Sequence, residues 1–176
     1  IDEGVVAFSK TYLPSLSDGA FDDPRLNLVN ADGAEFMSES VDEFDVIIID
    51  STDPIGPGKV LFTDHFYSHA KKRLAVEGVL VTQNGVPFLQ PDELRDTMRA
   101  FQRLFVDWGC YTACIPTYAG GPMAFGWGAL STVPRNVPVD VLHERLADAR
   151  LDLAYYTPDV HKAAFCLPRY IEKLLP

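Results

Sequence analysis

The stretch Asp45-Val46-Ile47-Ile48-Ile49-Asp50-Ser51-Thr52-Asp53-Pro54-Ile55-Gly56-Pro57 decides the fold. Four β-branched residues bracketed by two aspartates form an apolar run of strand length, far short of the roughly 20 residues a membrane helix needs. Two carboxylates three residues apart follow at once, in a loop stiffened by two prolines and a glycine. Outward from this strand, residues 26–30 and 78–83 are also apolar and β-branched, and each of the three segments precedes a stretch with helical periodicity. That alternation predicts parallel strands joined by crossover helices, an α/β fold. The helices read as 3–12, 34–39, 64–75 and 91–105. The last sets Leu94, Met98, Phe101 and Leu104 on one face, and Pro91 suits its first turn.

After residue 105 the pattern changes. Segments 111–116 and 123–130 read as strands on either side of a Gly120-Gly121-Pro122 turn, an antiparallel hairpin that closes an otherwise mostly parallel sheet. Residues 132–138 form a proline-punctuated connection, and 139–150 and 160–175 contain helical stretches expected on the outside. No repeat, low-complexity tract or second domain interrupts the chain, so residues 1–176 read as a single domain.

Composition narrows the function. Of 176 residues, 47% are hydrophobic and 23% charged, close to the average for folded proteins and unlike a disordered chain. A formal net charge of -10 argues against nucleic acid, whose phosphates demand clustered Lys and Arg. The same acidity welcomes a cationic small molecule, although it serves solubility equally well. Cys110, Cys114 and Cys166 are an odd set without zinc or disulfide-scaffold spacing, which points to a reducing cytosol. The opening residues lack a basic start followed by an apolar stretch, so no signal peptide is expected there, and none of the apolar runs reads as a membrane span. His65, His69, His143 and His161 lack metal-site spacing, so neither a metal nor a cofactor is expected.

In an open parallel sheet, ligands bind where loops leave the carboxyl ends of the strands. That rule selects Ile1 and Asp2, the Asp32-Gly33 pair, the loop Asp50 to Pro57, and Gln83 to Gln90. Asp50 alone could be a turn cap with Asp53 merely solvated, but two carboxylates directly after an apolar strand favour chemistry. Asp32 could be an ordinary loop residue, or could accept from an adenine amino group. Tyr118, in Ile115-Pro116-Thr117-Tyr118-Ala119-Gly120-Gly121, places a phenol beside a glycine hinge, and read alone it serves as well in packing as in binding.

Taken together, four stretches resemble the spermidine synthase family: Asp45 to Pro57, the LFTDHFY run (61–67), IPTYAGG (115–121) and YYTPDVHKAAFCLP (155–168). The resemblance covers essentially the whole chain. It implies a Rossmann-like, class I methyltransferase-type fold that binds decarboxylated S-adenosylmethionine as a co-substrate and transfers its aminopropyl group to putrescine. By position, Asp50 resembles the family's proton acceptor. Ser51, Thr52 and Asp53 complete the loop that holds the ammonium groups, Pro57 resembles the proline beside the adenine, Asp32 and Gly33 the adenine-contacting pair, and Tyr118 the tyrosine that steers the attacking amine. The resemblance also implies a cytoplasmic homodimer or homotetramer of the full-length protein.

Ile1-Asp2 resembles the end of the family's Glu-Ile-Asp strand. The chain is therefore expected to begin inside the domain, with the ribose-binding acid, the glycine-rich loop and a small β-domain upstream, and to bind nucleotide poorly by itself. Three other readings stay open: another acceptor such as spermidine, agmatine or cadaverine, a relative that only binds, and a methyltransferase using S-adenosylmethionine.

Overall fold

The computed structural model describes residues 2–176; the expectation for Ile1 lies outside the described residues. The chain divides between Glu39 and Ser40 into two compact units.

The first unit opens with α1 (Glu3–Tyr12), the span that periodicity predicts. Its ends follow from local chemistry. Asp2 caps it by accepting from the Gly4 N–H at 2.8 Å, Glu3 and Lys10 complement the helix dipole, and Leu13 stands before a proline. A short α2 (Pro14–Ser17) and a 3₁₀ turn (Ala20–Asp22) follow, separated by the left-handed Asp18 and Gly19. Residues 26–30, expected as a strand, make no ladder among the described residues, and Leu26, Leu28 and Val29 are about half exposed. β-Branched composition favours extended backbone, but a strand exists only where a neighbour completes its hydrogen bonds. The unit ends in α3 (Gly33–Glu39).

The second unit is built on a four-stranded sheet in the order β1-β2-β4-β3, comprising β1 (Phe44–Ile49), β2 (Leu74–Gln83), β3 (Asp107–Ala113) and β4 (Met123–Ala129). β1 and β2 pair in parallel through a crossover containing a 3₁₀ segment (Gly56–Phe62) and α4 (Asp64–Lys72). β4 pairs antiparallel with both β2 and β3. The sheet is thus mixed, with one parallel pair where a mostly parallel sheet was expected, because residues 26–30 add no strand.

Two boundaries move for a shared reason. α4 stops at Lys72 instead of continuing to 75, and β3 starts at Asp107 instead of 111. Leu74 pairs with Phe44, and Asp107 with Ala129, so ladder partners override local propensity.

One sheet face is sealed by α4 and α5 (Pro91–Leu104). Tyr67, Leu80, Leu94, Met98 and Phe101 lose all their exposure there, each contributing roughly 1.5–3 kcal/mol on burial. On the opposite face Val79, Trp127 and Ala129 form a cluster that Phe165 joins from the end of α7 (Pro158–Ala164). Farther along that face Val46 and Ile48 of β1 stay open. α6 (Val139–Ala149) ends at the left-handed Arg150, and α8 (Arg169–Glu172) begins after Pro168. Among the described residues no helix is long and apolar enough to cross a membrane.

Candidate active site

The carboxyl ends of β1 and β2 and the start of β4 surround a cavity of about 390 Å³, within the range of small-molecule sites. Asp50, Ser51 and Tyr118 all line it, as does Gln83. The apolar wall comes from Ile48, Val81 and Phe125 among others. No lysine or arginine lines it.

Each polar group has a different local cause. Asp50 is the first residue past β1, where the ladder ends; its carboxylate is exposed and accepts no hydrogen bond among the described residues. Ser51 turns its hydroxyl onto the Thr52 carbonyl at 2.9 Å. Tyr118 sits in a turn closed by its own N–H to the Ile115 carbonyl at 3.0 Å, and the residue is 54% exposed. Gln83 is 9% exposed, and its Oε1 is buried without a partner. A buried acceptor left unpaired costs about 1–3 kcal/mol.

A buried polar bed fixes Gln83. Asn84, fully buried, donates from Nδ2 to Thr97 Oγ1 at 2.8 Å and accepts from the Gly126 N–H at 3.0 Å. Its own N–H donates to the Ala124 carbonyl, and the Ala124 N–H donates to the Gly85 carbonyl, which extends the β2–β4 pairing past the strand end. The Tyr67 hydroxyl closes the network on Thr97 at 3.3 Å, and burial pushes that phenol up to about 12. Satisfied networks of this kind rigidify the groups they carry.

Thr52, Asp53 and Pro57 do not line the cavity. Pro57 is exposed in the first turn of the 3₁₀ segment, after Gly56 at φ +61°. Gly58 lets the loop fold back closely, since a Cβ there would lie 2.8 Å from Thr52 Oγ1. Asp53 turns to a partner that sequence reasoning had left without a role: Gln90 Nε2 donates to Asp53 Oδ2 and to Glu93 Oε1, each at 2.9 Å. Burial, then the Asp53 charge, raise the Glu93 carboxyl above its ordinary value, with the Gln90 bond opposing them.

In the first unit Asp32 caps α3, accepting at Oδ1 from the Ala34 N–H at 2.8 Å, and Gly33 is the first helical residue. Its second oxygen takes no hydrogen bond among the described residues.

Sequence reasoning placed the stretch from Gln83 to Gln90 on the rim without giving any of its residues a role, and it did not single out Glu93. The period-two run Met123, Phe125, Trp127 was the available signal for the cavity wall, because alternate residues of a strand share a face. An adjoining cavity of about 230 Å³ shares Val81 and Tyr111, is closed by Trp127, Tyr156, His161 and Phe165, and has no carboxylate in its lining.

Residues 1–136 match the model of the spermine/spermidine synthase domain. The chain is 66% identical over its whole length to a polyamine aminopropyltransferase of Ruegeria sp. (strain TM1040), covering 62% of that protein. It is 49% identical over 171 residues to polyamine aminopropyltransferase 1 of Pseudomonas aeruginosa, covering 60% of it. Among solved structures it resembles a spermidine synthase in complex with the transition state analogue AdoDATO, with a TM-score of 0.90 and 33% identity over 99% of this chain and 59% of that one. It also resembles spermidine synthase from Thermotoga maritima, with a TM-score of 0.85 and 31% identity over 99% of this chain and 57% of that one. The chain therefore spans about three-fifths of the length of the curated relatives it matches.

Proposed function

Because the chain belongs to the spermine/spermidine synthase domain family, we propose that it forms part of a single catalytic domain of a spermidine synthase, transferring the aminopropyl group of decarboxylated S-adenosylmethionine to putrescine. The observation that carries the reading is the cavity itself. It joins an unpaired carboxylate, Asp50, to a phenol, Tyr118, and an amide residue, Gln83, against an apolar wall without a cationic side chain. That lining suits a flexible cation with a methylene chain.

In the reaction, the amine lone pair forms a C–N bond to the carbon beside the sulfonium. The C–S bond breaks, its electrons return to sulfur, and methylthioadenosine leaves as a neutral thioether. The obstacle is the amine's proton. With an amine pKa of about 10.4, roughly one molecule in 10³ is neutral at pH 7, a cost of about 4–5 kcal/mol. Asp50 takes that proton and Tyr118 aligns the nitrogen. Ser51, Thr52 and Asp53 hold the ammonium groups, and the carboxylates of Asp50 and Asp53 let two cationic substrates approach each other. Asp32, Gly33 and Pro57 are assigned to the adenine, for which Asp32 keeps one carboxylate oxygen outside its capping bond.

This reading places the protein in the cytosol, consistent with three free cysteines, as a homodimer or homotetramer. The test measures methylthioadenosine release by the intact protein, wild type and Asp50→Asn, with putrescine, spermidine, agmatine and cadaverine in turn. Loss of kcat/KM by about 10²–10⁴ in the variant supports Asp50 as the base. Unchanged activity removes it from that role, turnover with a different amine reassigns the acceptor, and S-adenosylhomocysteine made from S-adenosylmethionine points to a methyltransferase.

A further inference from the structure

We propose that Gln90 is a positioning residue for the amine-binding loop, holding the Asp53 carboxylate in place by bridging it to Glu93. The inference rests on the functional reading above, since an amine is the ligand whose seat it holds.

Asp53 lies in an irregular loop, where a side chain is free to turn. Among the described residues the only hydrogen bond to its carboxylate comes from Gln90 Nε2, at 2.9 Å. The same nitrogen reaches Glu93 Oε1 at 2.9 Å, so one amide group spends both its protons on two carboxylates. These contacts bring the two acceptor oxygens within about 6 Å of each other, the range in which like charges oppose one another's ionisation. Without the amide between them the carboxylates would repel, and Asp53, on the looser segment, would move.

Gln90 is itself well anchored. Its backbone N–H donates to the Val86 carbonyl at 2.9 Å, and the next residue, Pro91, starts α5. Its Oε1 faces the Val86 N–H at 3.4 Å. Gly85 completes the seat, with φ at +62° and room so tight that a Cβ would lie 2.6 Å from Gln90 Oε1. The turn from 85 to 90 is thus folded around this one amide, and its free end points to Asp53. A carboxylate ordered before the amine arrives spares the complex the cost of ordering it.

The experiment compares steady-state kinetics of the intact protein, wild type, Gln90→Leu and the double variant Gln90→Leu/Glu93→Gln, with putrescine and decarboxylated S-adenosylmethionine varied separately. Gln90→Leu is expected to raise KM for putrescine about three- to ten-fold, the cost of ordering one loose side chain, with kcat and the nucleotide KM nearly unmoved. Removing the opposing charge in the double variant is expected to recover part of that loss, which a packing defect would not do. Equal KM values for wild type and Gln90→Leu, a parallel rise for both substrates, or no recovery in the double variant would each overturn the bridging role. Absence of turnover in the wild type would overturn the functional reading and this inference with it, whereas turnover with an unmoved Gln90→Leu variant overturns the inference alone.

Discussion

Replacing Asn84 with alanine tests how far the cavity depends on the bed beneath it. The side chain is fully buried, donates to Thr97 Oγ1 at 2.8 Å and accepts from the Gly126 N–H at 3.0 Å. Alanine makes neither bond. Thr97 keeps Tyr67 as a partner, and Gly126 keeps its place in the ladder between β2 and β3. Each of the two bonds contributes about 1 kcal/mol net and the space left by the amide adds a cavity cost, so the expected loss is about 2–4 kcal/mol. Urea titration of the intact protein should show a lower midpoint at unchanged slope. Because Asn84 also anchors the backbone next to Gln83, activity per folded molecule should fall as well. Asn84→Asp is a useful companion: the aspartate can still accept from Gly126 but places an ionisable group where no water reaches. Its carboxyl should then titrate above its unfolded value, so this variant should lose stability as pH rises through that interval. A loss under about 1 kcal/mol in Asn84→Ala would refute the idea that this network holds the β2 end in place.

Two further outcomes concern pH. Burial and the neighbouring Asp53 raise the Glu93 carboxyl, so the folded state holds that proton to higher pH than the unfolded chain does, and stability falls as pH rises from the ordinary carboxylate value upward. Glu93→Gln should flatten this dependence in urea midpoints taken from pH 4 to 7; an unchanged slope would show that Glu93 does not generate it. His161 packs against Phe165 and Tyr156, and burial together with Lys162 lowers its pKa. The unfolded chain therefore takes up this proton first, and stability should decline as pH falls below the ordinary histidine value of about 6.5. His161→Phe should remove that decline in melting temperatures between pH 5 and 8.

Much of the architecture was legible from residues alone because local rules agree there. Asp2, Glu3 and Lys10 mark both ends of α1, and Pro91 with the Leu94, Met98 and Phe101 stripe marks α5. The apolar run before Asp50 is β1, and the Gly120-Gly121-Pro122 turn separates β3 from β4. Residues 26–30 carry the composition of a strand yet form none, since composition says nothing about whether a partner edge is there to pair with.

The candidate site divides in the same way. Asp50, Ser51 and Tyr118 could be named in advance because each sits beside a strand end that local signals locate, and the structure brings them to one cavity. The sequence by itself thus determined most of the elements, the loops at the strand ends and the family. Only the tertiary structure decided that Asn84 is buried beneath the site, that Gln83 beside the cavity keeps a buried oxygen unpaired, and that Asp53 turns to Gln90 and Glu93. These facts concern residues 13 to 42 positions apart meeting through strand pairing and helix docking. Hydrogen bonds at such separations are set by the register of β2 with β4 and the packing of α5, which no local pattern encodes.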